Sequence, residues 1–202
     1  GALYAHYFRL DLPPGDDFSS GLDANFVYDH PLTTMPAKDR SHRGIFYPIM
    51  GHMCHMALVE VDPQTGKVKI LDYVAVHDAG TVVNPMTLAG HIRGGTAQGI
   101  GTTLYEKFHY DEAGQLQTAT FVDYLIPTLY EMPPEIRVGH IETPSPFTEY
   151  GIKGGGEGGR MGAPGALSRA IEDALSAYGV RCDEVPLTPR RFRELVEASS
   201  RG

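Results

Sequence analysis

Residues 151–159, Gly-Ile-Lys-Gly-Gly-Gly-Glu-Gly-Gly, place one carboxylate, Glu157, among six glycines. A glycine fixed in a fold loses more backbone entropy than any other residue, so such a run serves either φ > 0 or the close approach of another body. A carboxylate on a glycine-supported loop suits a general base, which must come within about 3 Å of the proton it removes. The competing account is an exposed loop whose charge is merely solvated. A well-made helix follows the loop directly, and that argues for a held geometry. Gln98 lies in a comparable setting, Gly94-Gly95-Thr96-Ala97-Gln98-Gly99-Ile100-Gly101. Its neutral carboxamide offers two donors and an acceptor, suited to an uncharged hydrogen bond with a ligand or to a helix–helix contact.

Other motifs carry less. Gly154, Gly156 and Gly159 fit the dinucleotide spacing GxGxxG, but the preceding Thr143-Pro144-Ser145-Pro146 is no clean strand and Glu157 would repel a pyrophosphate. No P-loop pattern occurs. His52 and His55 have an HxxH spacing, yet on a strand residues three apart point to opposite faces. Packed or hydrogen-bonded histidines are therefore expected. His77-Asp78 diverge for the same reason, and Asp78 is expected to form the turn before Ala79-Gly80.

The elements that must position these groups are readable from periodicity. Residues 55–62 and 68–76 are strand-like and are joined by Pro63-Gln64-Thr65-Gly66, which predicts a hairpin with Gly66 left-handed. Residues 107–110 and 116–121 around Asp111-Glu112-Ala113-Gly114 predict a second hairpin. Leu88, Ile92, Ile100 and Leu104 fall at multiples of four after Asn84-Pro85 and predict a helix whose glycines face another backbone or a cofactor. Residues 136–142 read as the last strand. Pro164 at a first helical position precedes the stripe Leu167, Ala170, Ile171, Ala174, Leu175 and Tyr178, a helix ending at Gly179. Thr188-Pro189 cap and open a terminal helix to about Ala198. Hairpins beside helices without regular alternation predict an α+β fold, a mixed sheet with hairpins and packed helices. Residues 1–50, rich in Pro, Asp and Gly, read as an extended arm that docks on another surface, and residues 51–202 as the folded domain.

Composition narrows the class of partner. Seventeen Lys and Arg against 25 Asp and Glu give a net charge of -8, a poor match to nucleic acid. The two cysteines form no spaced framework, and no 18-residue apolar run occurs. A reducing, cytoplasmic setting without a transmembrane segment is expected. Gly1 in place of an initiator Met suggests a processed chain or a piece of a longer one.

Taken together, GIKGGGEGG followed by a helix and Pro186-Leu187-Thr188-Pro189, with Val61-Asp62-Pro63-Gln64-Thr65-Gly66, His77-Asp78-Ala79-Gly80, Val83-Asn84-Pro85 and residues 94–101, resembles one family. The similarity is to the C-terminal part of the molybdopterin-binding large subunit of the xanthine dehydrogenase/aldehyde oxidase family, and it looks closest to the bacterial carbon monoxide dehydrogenase-like branch. The resemblance implies the second molybdopterin-binding domain of that type. It implies that Glu157 is the general base of a hydroxylase that uses water as oxygen source and attacks an electron-poor carbon of an aldehyde, a purine or N-heterocycle, or carbon monoxide. It further implies that Gln98, with Gly95, Thr96 and Ala97, and the loop Lys153, Gly154, Gly155 and Gly156 bind a molybdenum–molybdopterin cofactor in its cytosine dinucleotide form. The implied partners are the remaining part of the molybdenum subunit, an FAD-binding subunit and a 2Fe-2S subunit. The resemblance covers about a quarter of such a subunit, so the chain alone is expected to be inactive. The rival from another class is a non-catalytic scaffold domain of the same fold.

Overall fold

A computed structural model describes residues 27–34, 43–45 and 47–199. The chain divides into two units, Gly1–Pro48 and Ile49–Gly202. Most of the expected arm lies outside the described residues. Within the first unit, Thr33 N donates to His30 O, and Thr34 and Ile45 are joined by Thr34 N to Ile45 O and Ile45 N to Thr34 Oγ1.

The second unit is built on a three-stranded sheet, β1 (His52–Val61), β2 (Val68–Asp78) and β3 (Ile136–Ile141), in that order. β1 pairs antiparallel with β2, and β3 pairs parallel with β2. The β1–β2 turn forms because the Asp62 carboxylate accepts from Gln64 N and from the Thr65 hydroxyl, while Gly66 takes φ 73°. The register shifts between Leu58 and Val59. This irregularity lets Ile70, and then Tyr73, Ala75 and His77, all face the interior although their numbers change parity.

The parallel β2–β3 pair requires a crossover, and it contains α1 (Pro85–Leu104). Asn84 caps α1 through Oδ1 to Thr87 N (3.1 Å), and Pro85 opens it. α2 (Gly158–Ala174) packs on α1 and on β1, and α3 (Pro189–Ser199) adds Phe192 to the core. Thr188 Oγ1 accepts from Arg191 N at 3.3 Å, as its capping position predicts. Tyr73, Ile92, Ile100, Leu167, Ile171, Leu187 and Phe192 fill the space between sheet and helices. The architecture is the α+β mixed sheet with packed helices expected from the sequence.

Three local expectations are corrected. α2 starts at Gly158, six residues before Pro164, which lies inside the helix. Low glycine propensity is overridden there by packing on α1. A Cβ on Gly159 would stand 2.4 Å from Ile92 O and 2.8 Å from Thr96 N, and one on Gly99 2.6 Å from Ala163 Cβ. Those glycines thus admit a neighbouring backbone. α2 itself ends at Ala174, and a 3-10 turn, Ser176–Tyr178, leads to Gly179 at φ 65°. The second hairpin reduces to one bridge, Tyr110 to Leu116, because the Asp111 carboxylate gathers the turn amides of Ala113 and Gln115 instead.

These glycines differ in what an added methyl would meet, so two substitutions in α2 have opposite signs. Gly159→Ala is expected to destabilise the chain by about 1–3 kcal/mol through overpacking. Gly165→Ala, where nothing lies within 4 Å, is expected to stabilise it by up to about 1 kcal/mol. Urea unfolding midpoints of the two variants against the parent test this; equal shifts would contradict the packing account.

Candidate functional site

The glycine loop is tied down at its entrance and free beyond it. Ile152 bridges to Gly80, Lys153 N donates to Ala79 O at 2.8 Å, and Gly151 O accepts from Thr81 N and Ser145 N. The Lys153 ammonium donates to Asp78 Oδ2 (2.8 Å) and Thr143 Oγ1 (2.6 Å), with only 11% of the side chain exposed. The Lys153 bond, and then Thr143, hold the Asp78 carboxyl well below the usual carboxylate range. Asp78 also accepts from Gly80 N at 2.9 Å, so it forms the expected turn and in addition anchors the loop. Lys153 therefore spends its charge on Asp78 and its backbone N–H on Ala79, and the free loop amides begin at Gly154.

From Gly154 to Arg160 no backbone N–H has an acceptor among the described residues. A Cβ on Gly154 or Gly156 would meet nothing within 4 Å, whereas Gly155 sits against Leu88 and Ala79. Glu157 occupies the N-cap of α2 without capping it, and its side chain is exposed. The arrangement is a row of donors that runs into a helix N-terminus, where the aligned peptide dipoles add partial positive charge.

Lys153, Gly155 and Gly156 line a groove of about 320 Å³ together with Thr87, Leu88 and His91 of α1 and residues 81–84. Gln98 follows His91 by seven residues, two turns along the same side of α1. It is exposed, and its carboxamide has no partner among the described residues. Gly95 packs against Gly159 and Arg160, Thr96 is fully buried with no partner for its hydroxyl, and Ala97 is half-buried. Of residues 95–98, Gln98 alone thus presents an exposed polar side chain.

The unpartnered amides, the helix N-terminus and the open glycine surface form a donor set that suits an anionic, acceptor-rich ligand, and Gln98 is not among the residues that line the groove. Among the described residues no group of three or more His, Cys, Asp or Glu side chains is placed to hold a metal ion directly. His52 and His55 indeed point to opposite faces, and His55 is hydrogen-bonded to Tyr73 and His77. Sequence reasoning missed this last contact, since it paired each histidine with a neighbour in sequence. No helix among the described residues is long and apolar enough to cross a membrane.

A family model for the molybdopterin cofactor-binding domain matches residues 5–133. The chain is 47% identical to the nicotine 6-hydroxylase large subunit of Paenarthrobacter nicotinovorans, over 71% of this chain and 18% of that protein. It is 32% identical to the carbon monoxide dehydrogenase large chain of Hydrogenophaga pseudoflava, over 88% of this chain and 20% of that one. The structure of quinoline 2-oxidoreductase from Pseudomonas putida 86 matches with a TM-score of 0.68 and 48% identity, covering 71% of this chain and 18% of that chain. The sequence thus spans about a fifth of the length of these relatives. The chain belongs to the molybdopterin cofactor-binding domain family, in the xanthine dehydrogenase/aldehyde oxidase group of molybdenum-subunit proteins.

Proposed function

We propose that this domain supplies the general base and one wall of the cofactor site in a molybdenum hydroxylase that oxidises an electron-poor carbon with oxygen from water. The observation that carries the reading is the row of unpartnered amides from Gly154 to Arg160, with the uncapped, exposed carboxylate of Glu157 in its midst.

The cofactor, when bound, supplies the two-electron oxidising capacity of the site. The chain's own part is to bind and to move a proton. Amides of Gly154, Gly155 and Gly156 donate to acceptor atoms of the cofactor, and Gln98 adds a neutral hydrogen bond from α1. Gly95, Thr96 and Ala97 contribute by seating α2 close to α1 and carrying Gln98 to the open side. Glu157 Oε would accept the proton of the water that supplies the oxygen as the carbon–oxygen bond forms, and the hydrogen that leaves the same carbon with its two electrons would be taken up by the cofactor's oxidising capacity. The cytosine dinucleotide form of the cofactor, FAD and 2Fe-2S centres on partner subunits, and a cytoplasmic location belong to the same proposal.

Among the substrate classes open to the family, an N-heteroaromatic ring has the most support. The relatives at 47% and 48% identity are named for nicotine and quinoline, whereas the one named for carbon monoxide is at 32%. The exposed apolar side chains Phe121, Val122, Leu129 and Tyr130 suit contact with the remaining part of the molybdenum subunit.

Metal analysis by mass spectrometry tests the cofactor assignment. The assembly that contains this chain, purified from its host without denaturation, is expected to carry about one molybdenum per copy of the chain. An intact, molybdenum-free assembly would support the scaffold alternative.

A further inference from the structure

His55 pairs with Ala75 and His77 with Met53, so the two histidines are diagonal neighbours two register positions apart on adjacent strands, on the same core-facing side. His55 Nε2 lies 2.7 Å from His77 Nε2, and His55 Nδ1 lies 2.8 Å from the Tyr73 hydroxyl. Tyr73 is 0% exposed and His77 3% exposed. The protons in this chain can be assigned from its connectivity. The Tyr73 hydroxyl has one partner among the described residues, His55 Nδ1, and burial raises its pKa, so it keeps its proton and donates. His55 then carries its proton on Nε2 and donates to His77 Nε2. His77 is left with its proton on Nδ1.

That last N–H has no partner among the described residues. It lies against the first turn of α2: a Cβ on Gly158 would stand 2.7 Å from His77 Nδ1 and 2.6 Å from Cε1. A Cβ on Gly162 would stand 2.7 Å from the His55 ring. Gly158 directly follows Glu157. The two glycines let α2 lie on the imidazoles, and the hydrogen bonds fix the rings on which it lies.

We propose that His77, held in one tautomer and one orientation by the Tyr73–His55 chain, is a positioning residue for Glu157, acting through the first turn of α2. Neither ring can turn without breaking a part-buried hydrogen bond, so the turn that starts at Gly158 rests on rings of fixed orientation. The inference rests on the reading of Glu157 as base, but its geometry can be examined without cofactor or turnover.

An added proton would reverse the chain. His77 would donate to His55, His55 to the Tyr73 oxygen, and the Tyr73 proton would lose its acceptor. It would also put a cation beside a helix N-terminus. Burial, reinforced for His55 by the nearby His77, accordingly holds His55 down to about 4, and burial lowers His77 as well. Titratable or charged neighbours on the packed elements are His55 on β1, His140 on β3, which pairs with His77 in register, and Glu157 and Arg160 at the start of α2. Because the folded values lie below the ordinary 6.5, the stabilisation is complete above that pH and is lost as pH falls toward 4.

Nitrogen-15 NMR of the 202-residue chain tests the proposal. At pH 7 His55 is expected as the Nε2–H tautomer and His77 as the Nδ1–H tautomer, both neutral. Tyr73→Phe keeps the ring and removes the donor. In it His55 should lose its fixed tautomer and titrate at higher pH. The amides of Glu157, Gly158 and Gly159 should shift and exchange several-fold faster, with α3 unchanged. His77→Gln provides a second variant and should release the same amides. A wild-type His77 protonated on Nε2, or unaltered Glu157–Gly159 amides in folded variants, would overturn the proposal. Normal turnover in Glu157→Gln would instead remove the base reading and leave these spectra as expected.

Discussion

Glu157→Gln in the assembled enzyme is expected to lower kcat roughly a hundred- to ten-thousand-fold, the range over which a positioned acid or base contributes, while molybdenum and pterin content stay at the parent level. The change is nearly isosteric, and Glu157 makes no capping bond, so α2 loses no partner for its first turn. The cofactor's proposed contacts come from backbone amides and from Gln98, which the substitution leaves in place. What goes is the ability to take a proton. Steady-state rates paired with metal analysis on the same preparation check this. Near-normal turnover would remove Glu157 from the mechanism, whereas lost molybdenum would make it a binding residue.

How far the site was legible before the fold was known depends on which interaction holds each part. Glu157 stood out because a lone carboxylate among glycines has few structural uses. The β1–β2 turn was readable because Asp62, Thr65 and Gly66 act within a few residues of one another. α1 was readable from its apolar spacing despite five internal glycines between Gly90 and Gly101. The start of α2 was not. Local rules take Gly158, Gly159 and Gly162 for loop and Pro164 for a beginning, but those glycines are helical because α1 and the two imidazoles lie against them. The His55–His77 contact depends on the β1–β2 register. The Lys153–Asp78 pair depends on a return of the chain 75 residues later, with nothing local to mark it.

The 202-residue chain alone, given the cofactor but no partner, is expected to show no detectable hydroxylation. Groups in the right places are not sufficient for the reaction, because their electrostatic effects depend on an enclosed, pre-organised surrounding. Here Glu157 and Gln98 are open to solvent, and the groove beside the glycine loop is lined on one side by the loop and on the other by α1 and residues 81–84. A carboxylate in water remains solvated, and a hydrogen bond to a solvated carboxamide competes with water for nearly the whole of its energy. The relatives are about five times as long, and the exposed run that includes Phe121, Val122, Leu129 and Tyr130 presents an apolar surface with nothing on it among the described residues. On the proposed function, closure by the remaining part of a molybdenum subunit would desolvate Glu157 and exclude bulk water in one step. Adding that remainder in trans should therefore restore both molybdenum retention and turnover, with the Glu157→Gln chain restoring retention only. Turnover by the isolated chain would mean that the domain closes its own site, and it would shift attention from the missing remainder to association between copies of this one.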